Sequence, residues 1–228
     1  DRNMKATSMI NLGYIYTQSG LFQRGMDTFK SSLEIAEIIE NPRLVAYNQL
    51  NIGLAYFRLG EHESSLMVLN DAQHNLEEIG DTFAGASCLT YQGLNLEAIG
   101  DCALADECYT QAYEVLQQVR VPGYAMDAVA GRARCALAMG NFAEAVEHVD
   151  QVCAYLEGNG SEAMEFPILA YLTCARVFEI AGDQERRQKS IDDGYRQLMD
   201  RAEKIKDSMW KNVFLEEVPE NKELNCVK

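Results

Sequence analysis

Five glycines punctuate the chain, at Gly20, Gly60, Gly100, Gly140 and Gly182. Their spacings are about 40, 40, 40 and 42 residues, a period that belongs to helical repeat arrays. The fullest instance runs from Gly53 to Leu66, where an apolar helix end meets Gly60 and a second helix starts. One helical hairpin of this size cannot bury its apolar face alone, so the chain must stack one hairpin on the next.

Aligning the units on the turn glycine shows which positions pack. Seven residues earlier stands a small residue: Gly13, Gly53, Gly93, Ala133 or Ala175. Four before the turn come Tyr16, Tyr56, Leu96, Ala136 and Phe178. Five after it come Gly25, Ser65, Ala105, Ala145 and Arg187, and nine after it Phe29, Leu69, Tyr109, Val149 and Ile191. Two antiparallel helices approach closely where side chains are small, and bulky residues fill the space beside the crossing. Arg187 breaks the pattern in the fifth unit, and Ala136 removes the aromatic from the fourth.

This small–large–Gly–small–large order resembles the tetratricopeptide repeat in a 40-residue form. The resemblance implies an all-α solenoid of about five hairpins in a right-handed superhelix with a C-terminal capping helix. The expected units are 1–40, 41–80, 81–120, 121–160 and 161–206, forming an array over 1–206, with a capping segment at 207–228. The first two helices are expected at 3–18 and 22–39. Asn41, Asp81, Asp101, Asn141 and Asp183 read as N-caps, and Pro42 and Pro122 as first helical residues. The segment 156–161 is the loosest connection, and Pro167 starts or kinks the next helix. The charged stretch 184–206 reads as a polar helix closing the stack.

The tail carries Phe214-Leu215-Glu216-Glu217-Val218-Pro219-Glu220-Asn221. It looks like the segment that ends such arrays in large bacterial signal-transduction proteins bearing an NTPase, cyclase or transcription-factor module. The chain opens at the same phase as Asn41 and Asp81, so a segment of a longer protein is expected. Trp210, Phe214 and Leu215 lie at helical spacing and read as packing on the last repeat.

Composition narrows the function. A formal charge of −15 repels phosphate backbones and anionic lipid, which argues against nucleic-acid or membrane partners. Seven cysteines without C-x-x-C spacing read as small hydrophobes in a reducing, cytoplasmic setting, Cys174 among them. Cys102 and Cys108 are about 240° apart around one helix and do not face each other. The three histidines, His62, His74 and His148, fall on separate elements without ligand spacing. There is no phosphate loop, H-E-x-x-H or G-x-S-x-G. The expectation is a non-enzymatic chain with no cofactor or metal.

The family resemblance places a concave groove along the first helix of each hairpin. By position, its lining is Ile10, Asn11 and Tyr14 in the first unit, and Tyr47, Leu50, Asn51, Leu54 and Phe57 in the second. Tyr91 and Leu94 follow in the third, Arg134 in the fourth and Arg176 in the fifth; Asp127 also falls in this set. Asn11 and Asn51 stand one period apart, and an amide can both donate to and accept from a peptide backbone. A helix–helix hydrogen bond is the competing role for that pair, and hairpin-to-hairpin packing for the apolar residues. The implied function is protein or peptide binding by a scaffold or sensor segment. A small-ligand-sensing regulatory domain and a purely structural array, self-associating through its exposed ends, are the alternatives.

Overall fold

The computed structural model describes all 228 residues, which form twelve α-helices and no strand. Two compact units divide the chain, 1–100 and 101–228. Unit 1 contains α1 (Arg2–Gln18), α2 (Phe22–Ile38), α3 (Pro42–Leu59), α4 (His62–Glu78) and α5 (Thr82–Ala98). In it α1 pairs with α2 and α3 with α4, while α2 also packs on α3 and α4 on α5. Unit 2 contains α6 (Cys102–Gln118), α7 (Pro122–Ala138), α8 (Phe142–Asn159), α9 (Pro167–Ile180), α10 (Gln184–Glu203), α11 (Ser208–Glu216) and α12 (Pro219–Val227). There α7 pairs with α8, α9 with α10 and α11 with α12. The ten helices expected of five hairpins are all present, and Pro167 opens α9 rather than kinking it.

The repeat chemistry is visible at the helix ends. Asn41, Asp81, Asp101 and Asp183 each accept a backbone N–H from the first turn of the helix they precede. Asn141 does not; its amide turns to Glu144 Oε2 at 3.4 Å. Gly60 ends α3 at φ +78°, a left-handed conformation that costs glycine nothing. The links between hairpins need the same conformation, yet two are not glycine: Glu40 has φ +53° and Arg120 φ +61°. A side chain there costs about 1–2 kcal/mol, partly offset by the greater freedom of glycine in the unfolded chain. Glu40→Gly and Arg120→Gly are therefore each expected to raise stability by about 0.5–1 kcal/mol in urea unfolding. A lowered midpoint would contradict this reading of the links.

The bulky positions nine residues past each turn are the core: Phe29, Leu69, Tyr109, Val149 and Ile191 are all buried. A cluster of Met26, Phe29, Ile52 and Ala55 joins the first two hairpins. Glycine makes the close crossings possible. A Cβ on Gly13 would lie 2.6 Å from the Phe29 ring, and one on Gly53 2.4 Å from Leu69.

At the C-terminal end the charged helix α10 is amphipathic, burying Ser190, Ile191, Gly194, Leu198 and Ala202 on one face. The covering role falls to α12, which packs on both α9 and α10 and buries Leu224 completely. The tail motif holds this arrangement: Phe214 and Val218 are buried, Pro219 opens α12, and Asn221 donates to the Phe214 carbonyl at 2.9 Å.

Candidate functional site

In unit 1, α1 touches α3 and α3 touches α5, so the first helices close on one another. That contact decides what their inner residues can reach. Leu54 is 0% exposed and is removed from the binding face: the structure makes it core. Ile10, Leu50, Tyr91 and Leu94 are likewise buried in hairpin packing. Asn51 retains 7% exposure and donates from Nδ2 to the Tyr47 carbonyl at 2.7 Å, within its own helix. Asn11 is exposed.

The half-buried aromatics have structural partners. Tyr14 packs against the cluster that joins the first two hairpins. Tyr47 donates its hydroxyl to Asp81 Oδ2 at 3.0 Å, while Asp81 Oδ1 caps α5. Burial pushes the Tyr47 phenol up, and the hydrogen bond to Asp81 adds to the shift. The Phe57 ring lies 5.9 Å from that of His62, with the Arg58 guanidinium 5.8 Å from its centroid. His62 Nδ1 sits 3.0 Å from Asn95 Oδ1.

In unit 2 the two arginines expected to face a ligand are held by the chain itself. Arg134 donates to Thr173 Oγ1 at 3.2 Å and to the Tyr109 hydroxyl at 3.3 Å, joining α7 to α9 and α6. Arg176 donates to Glu223 at 2.6 Å, joining α9 to α12. Neither is a spare cation for a ligand carboxylate.

Asp127 is also not a surface residue. It is buried, and its two oxygens accept the N–H groups of Glu165 and Phe166 at 2.7 and 3.1 Å. The carboxyl on α7 thereby fixes the approach to α9, and a Cβ on nearby Gly123 would strike the Ala163 carbonyl oxygen at 2.2 Å. Burial pushes the Asp127 carboxyl up to about 8, aided by the Glu165 charge and opposed by the two N–H donors and Arg134. Tyr124 is pushed up to about 12 by burial and by the Glu165 and Asp127 carboxyls. A lone acid inside Ala125-Met126-Asp127-Ala128-Val129 was the available sequence signal for this anchor.

Comparison with known proteins matches these elements. Residues 6–38 match the family model of the tetratricopeptide repeat. The Tonsoku-like protein of Danio rerio is 26% identical over 110 residues, covering 48% of this chain and 8% of that protein. A Rap protein solved in complex with competence and sporulation factor superposes with a TM-score of 0.73 at 17% identity, covering 100% of this chain and 63% of that one. A signal transduction ATPase with numerous domains from Pyrococcus horikoshii, which has a tetratricopeptide repeat sensor, gives 0.56 at 16% identity over 94% of this chain and 39% of its own. The chain thus spans less than two thirds of each of these proteins. Its first hairpin matches the tetratricopeptide repeat in sequence, and over its length the chain shares the all-α helical-hairpin fold of these structures.

Proposed function

We propose that the chain is a non-enzymatic, peptide-binding sensor segment of a larger cytoplasmic signalling protein, and that unit 1 receives the peptide on its first helices. The observation that carries this reading is the pair Asn11 and Asn51. They lie one repeat apart on touching helices, Asn11 exposed and Asn51 buried to 7% exposure. The second Nδ2 hydrogen and the carbonyl oxygen of Asn51 remain for a peptide backbone after its bond to Tyr47. The Rap protein solved with a bound factor and the Pyrococcus sensor support a regulatory role for this fold. The charge of −15 favours a peptide with basic residues. Seven free thiols suit a reducing compartment, and no helix is long and apolar enough to cross a membrane.

The test is selection of binders from a random peptide display library, followed by fluorescence anisotropy on the selected sequences. Asn11→Ala/Asn51→Ala is expected to weaken binding by about tenfold to a hundredfold, since each lost amide contact is worth about 1 kcal/mol or more. Helicity and melting should be unchanged. Equal affinity for both chains would move the site off the first helices.

A further inference from the structure

We propose that the cavity lined by α8, α9 and α10 is a binding site for a small neutral phenol, one aromatic ring carrying a hydroxyl. The inference rests on unit 2 alone and is independent of the peptide face.

The cavity follows from two repeat positions that are small only here among those compared. Thirteen residues past the turn glycine, the second helix presents a side chain to the next hairpin: Leu33 on α2, Tyr113 on α6 and Cys153 on α8. Eight residues past the following turn glycine, the next second helix presents Val68, His148 or Ser190 in the same three cases. Leu33 and Val68 both pack on the cluster that joins the first two hairpins. Tyr113 accepts from Gln151 Nε2 at 3.0 Å, and the His148 side chain is 13% exposed. Cys153 and Ser190 place only a thiol and a hydroxyl where those pairs place bulk, and a cavity of about 110 Å³ remains. Its walls forgo contacts that a ligand of the right size restores. Apolar protein cavities of about 150 Å³ take up benzene, so one ring is the scale of ligand expected.

The lining selects the chemistry. Tyr171 and Phe178 of α9 are buried and, with Leu156 of α8, supply aromatic and aliphatic surface. Rings pack well on such surface, edge to face or offset. One polar group stands among them. Ser190 is buried and donates its hydroxyl to the Arg186 carbonyl at 2.9 Å, which leaves its oxygen to accept from a ligand O–H.

The charges at the cavity already have partners. Arg186 pairs with Asp150 and Asp183, each at 2.6 Å, and its guanidinium lies 4.2 Å from the centroid of the Phe178 ring. Lys189 pairs with Glu157, and Asp193 with Arg196 at 3.0 Å. A charged ligand must break one of these pairs to be neutralised, whereas a neutral one leaves them intact. The cavity's volume suits a compact free molecule rather than a peptide segment.

The experiment titrates phenol into the full chain labelled with nitrogen-15 and follows amide shifts. Saturable shifts are expected at 153–157, 171–178 and 186–193, with a dissociation constant of about 1 mM or lower. At roughly ten times that constant the melting temperature should rise by about 4 °C. Benzoate, of similar size but charged, should bind at least about tenfold more weakly. Toluene, without the hydroxyl, should bind about fivefold more weakly, and Ser190→Ala should remove the difference between toluene and phenol. Cys153→Leu/Ser190→Val restores the side chains found at Leu33 and Val68 and should abolish the shifts. Three results would overturn the proposal: no saturable shift in these segments at about 10 mM phenol, benzoate binding as tightly as phenol, or a folded double variant that binds phenol like the wild type. The phenol and benzoate titrations of the wild type decide the matter even if the double variant folds poorly.

Discussion

An Asp127→Ala chain is expected to lose about 3 kcal/mol of unfolding free energy near pH 6.5, the largest loss among the polar residues considered. The substitution leaves the N–H groups of Glu165 and Phe166 without their acceptor. Both residues are buried, so water does not readily replace the carboxyl. Each unpaired buried donor costs about 1–3 kcal/mol. The damage should concentrate where the 160–166 segment meets α7, and amide exchange should rise first at Glu165 and Phe166. Asp127→Asn keeps one acceptor oxygen and should cost about 1 kcal/mol. An alanine variant as stable as the wild type would show that the carboxyl does not anchor the start of α9.

The same group gives the protein a pH dependence of definite sign. The folded-state value of about 8 lies above the ordinary 3.8, so the folded chain holds a proton that the unfolded chain has released. Stability from this group is complete below about pH 4 and declines as pH rises towards 8, by at most about 1.4 kcal/mol per pH unit. The comparison with Asp127→Asn isolates it between pH 6.5 and 8, because every other titrating group is common to both chains, including His148, whose imidazole burial lowers. Glu165 and Arg134 face the carboxyl with opposite effects and are common to both chains in the comparison. The wild type should therefore lose stability relative to Asp127→Asn across this window in urea titrations. A constant difference between the two would mean that Asp127 stays ionised throughout.

The second large effect concerns the helix crossings. Gly53→Val should destabilise the chain by about 3 kcal/mol, because even its Cβ would lie 2.4 Å from Leu69 Cδ2. Leu69 is fully buried and has no room to retreat. Gly85 supplies the internal control. It also sits within a helix, but a Cβ there would meet only Gln73 Nε2, at 3.7 Å. Gly85→Ala should therefore stabilise by about 0.5–1 kcal/mol, through the lower backbone entropy of the unfolded chain. Thermal or urea unfolding of the two variants should move in opposite directions. Equal shifts would mean that helix propensity, rather than the close crossing, governs Gly53.

The hairpins were legible because each is specified locally and then repeated. A turn glycine, an Asp or Asn before the next helix, and a bulky residue nine positions on all act within one unit. Asp81, Asp101 and Asp183 cap as their positions imply. Asn141 makes no such bond, although its Nδ2 donates to Glu144 Oε2. The binding face was less legible because periodicity tells which way a side chain points along a helix, not whether the neighbouring helix covers it. Leu54 points inward and is sealed. Arg134 and Arg176 look like free cations in sequence, but Tyr109, Thr173 and Glu223 reach them from other helices.

On the proposed function, peptide is received on the first helices of unit 1. Hydrogen–deuterium exchange, measured with and without a saturating display-selected peptide, tests it most directly. Protection is expected along α1 and α3, centred on Asn11 and Asn51, and is expected to be lost in Asn11→Ala/Asn51→Ala. Protection confined to the second helices α2 and α4, or to unit 2, would contradict it.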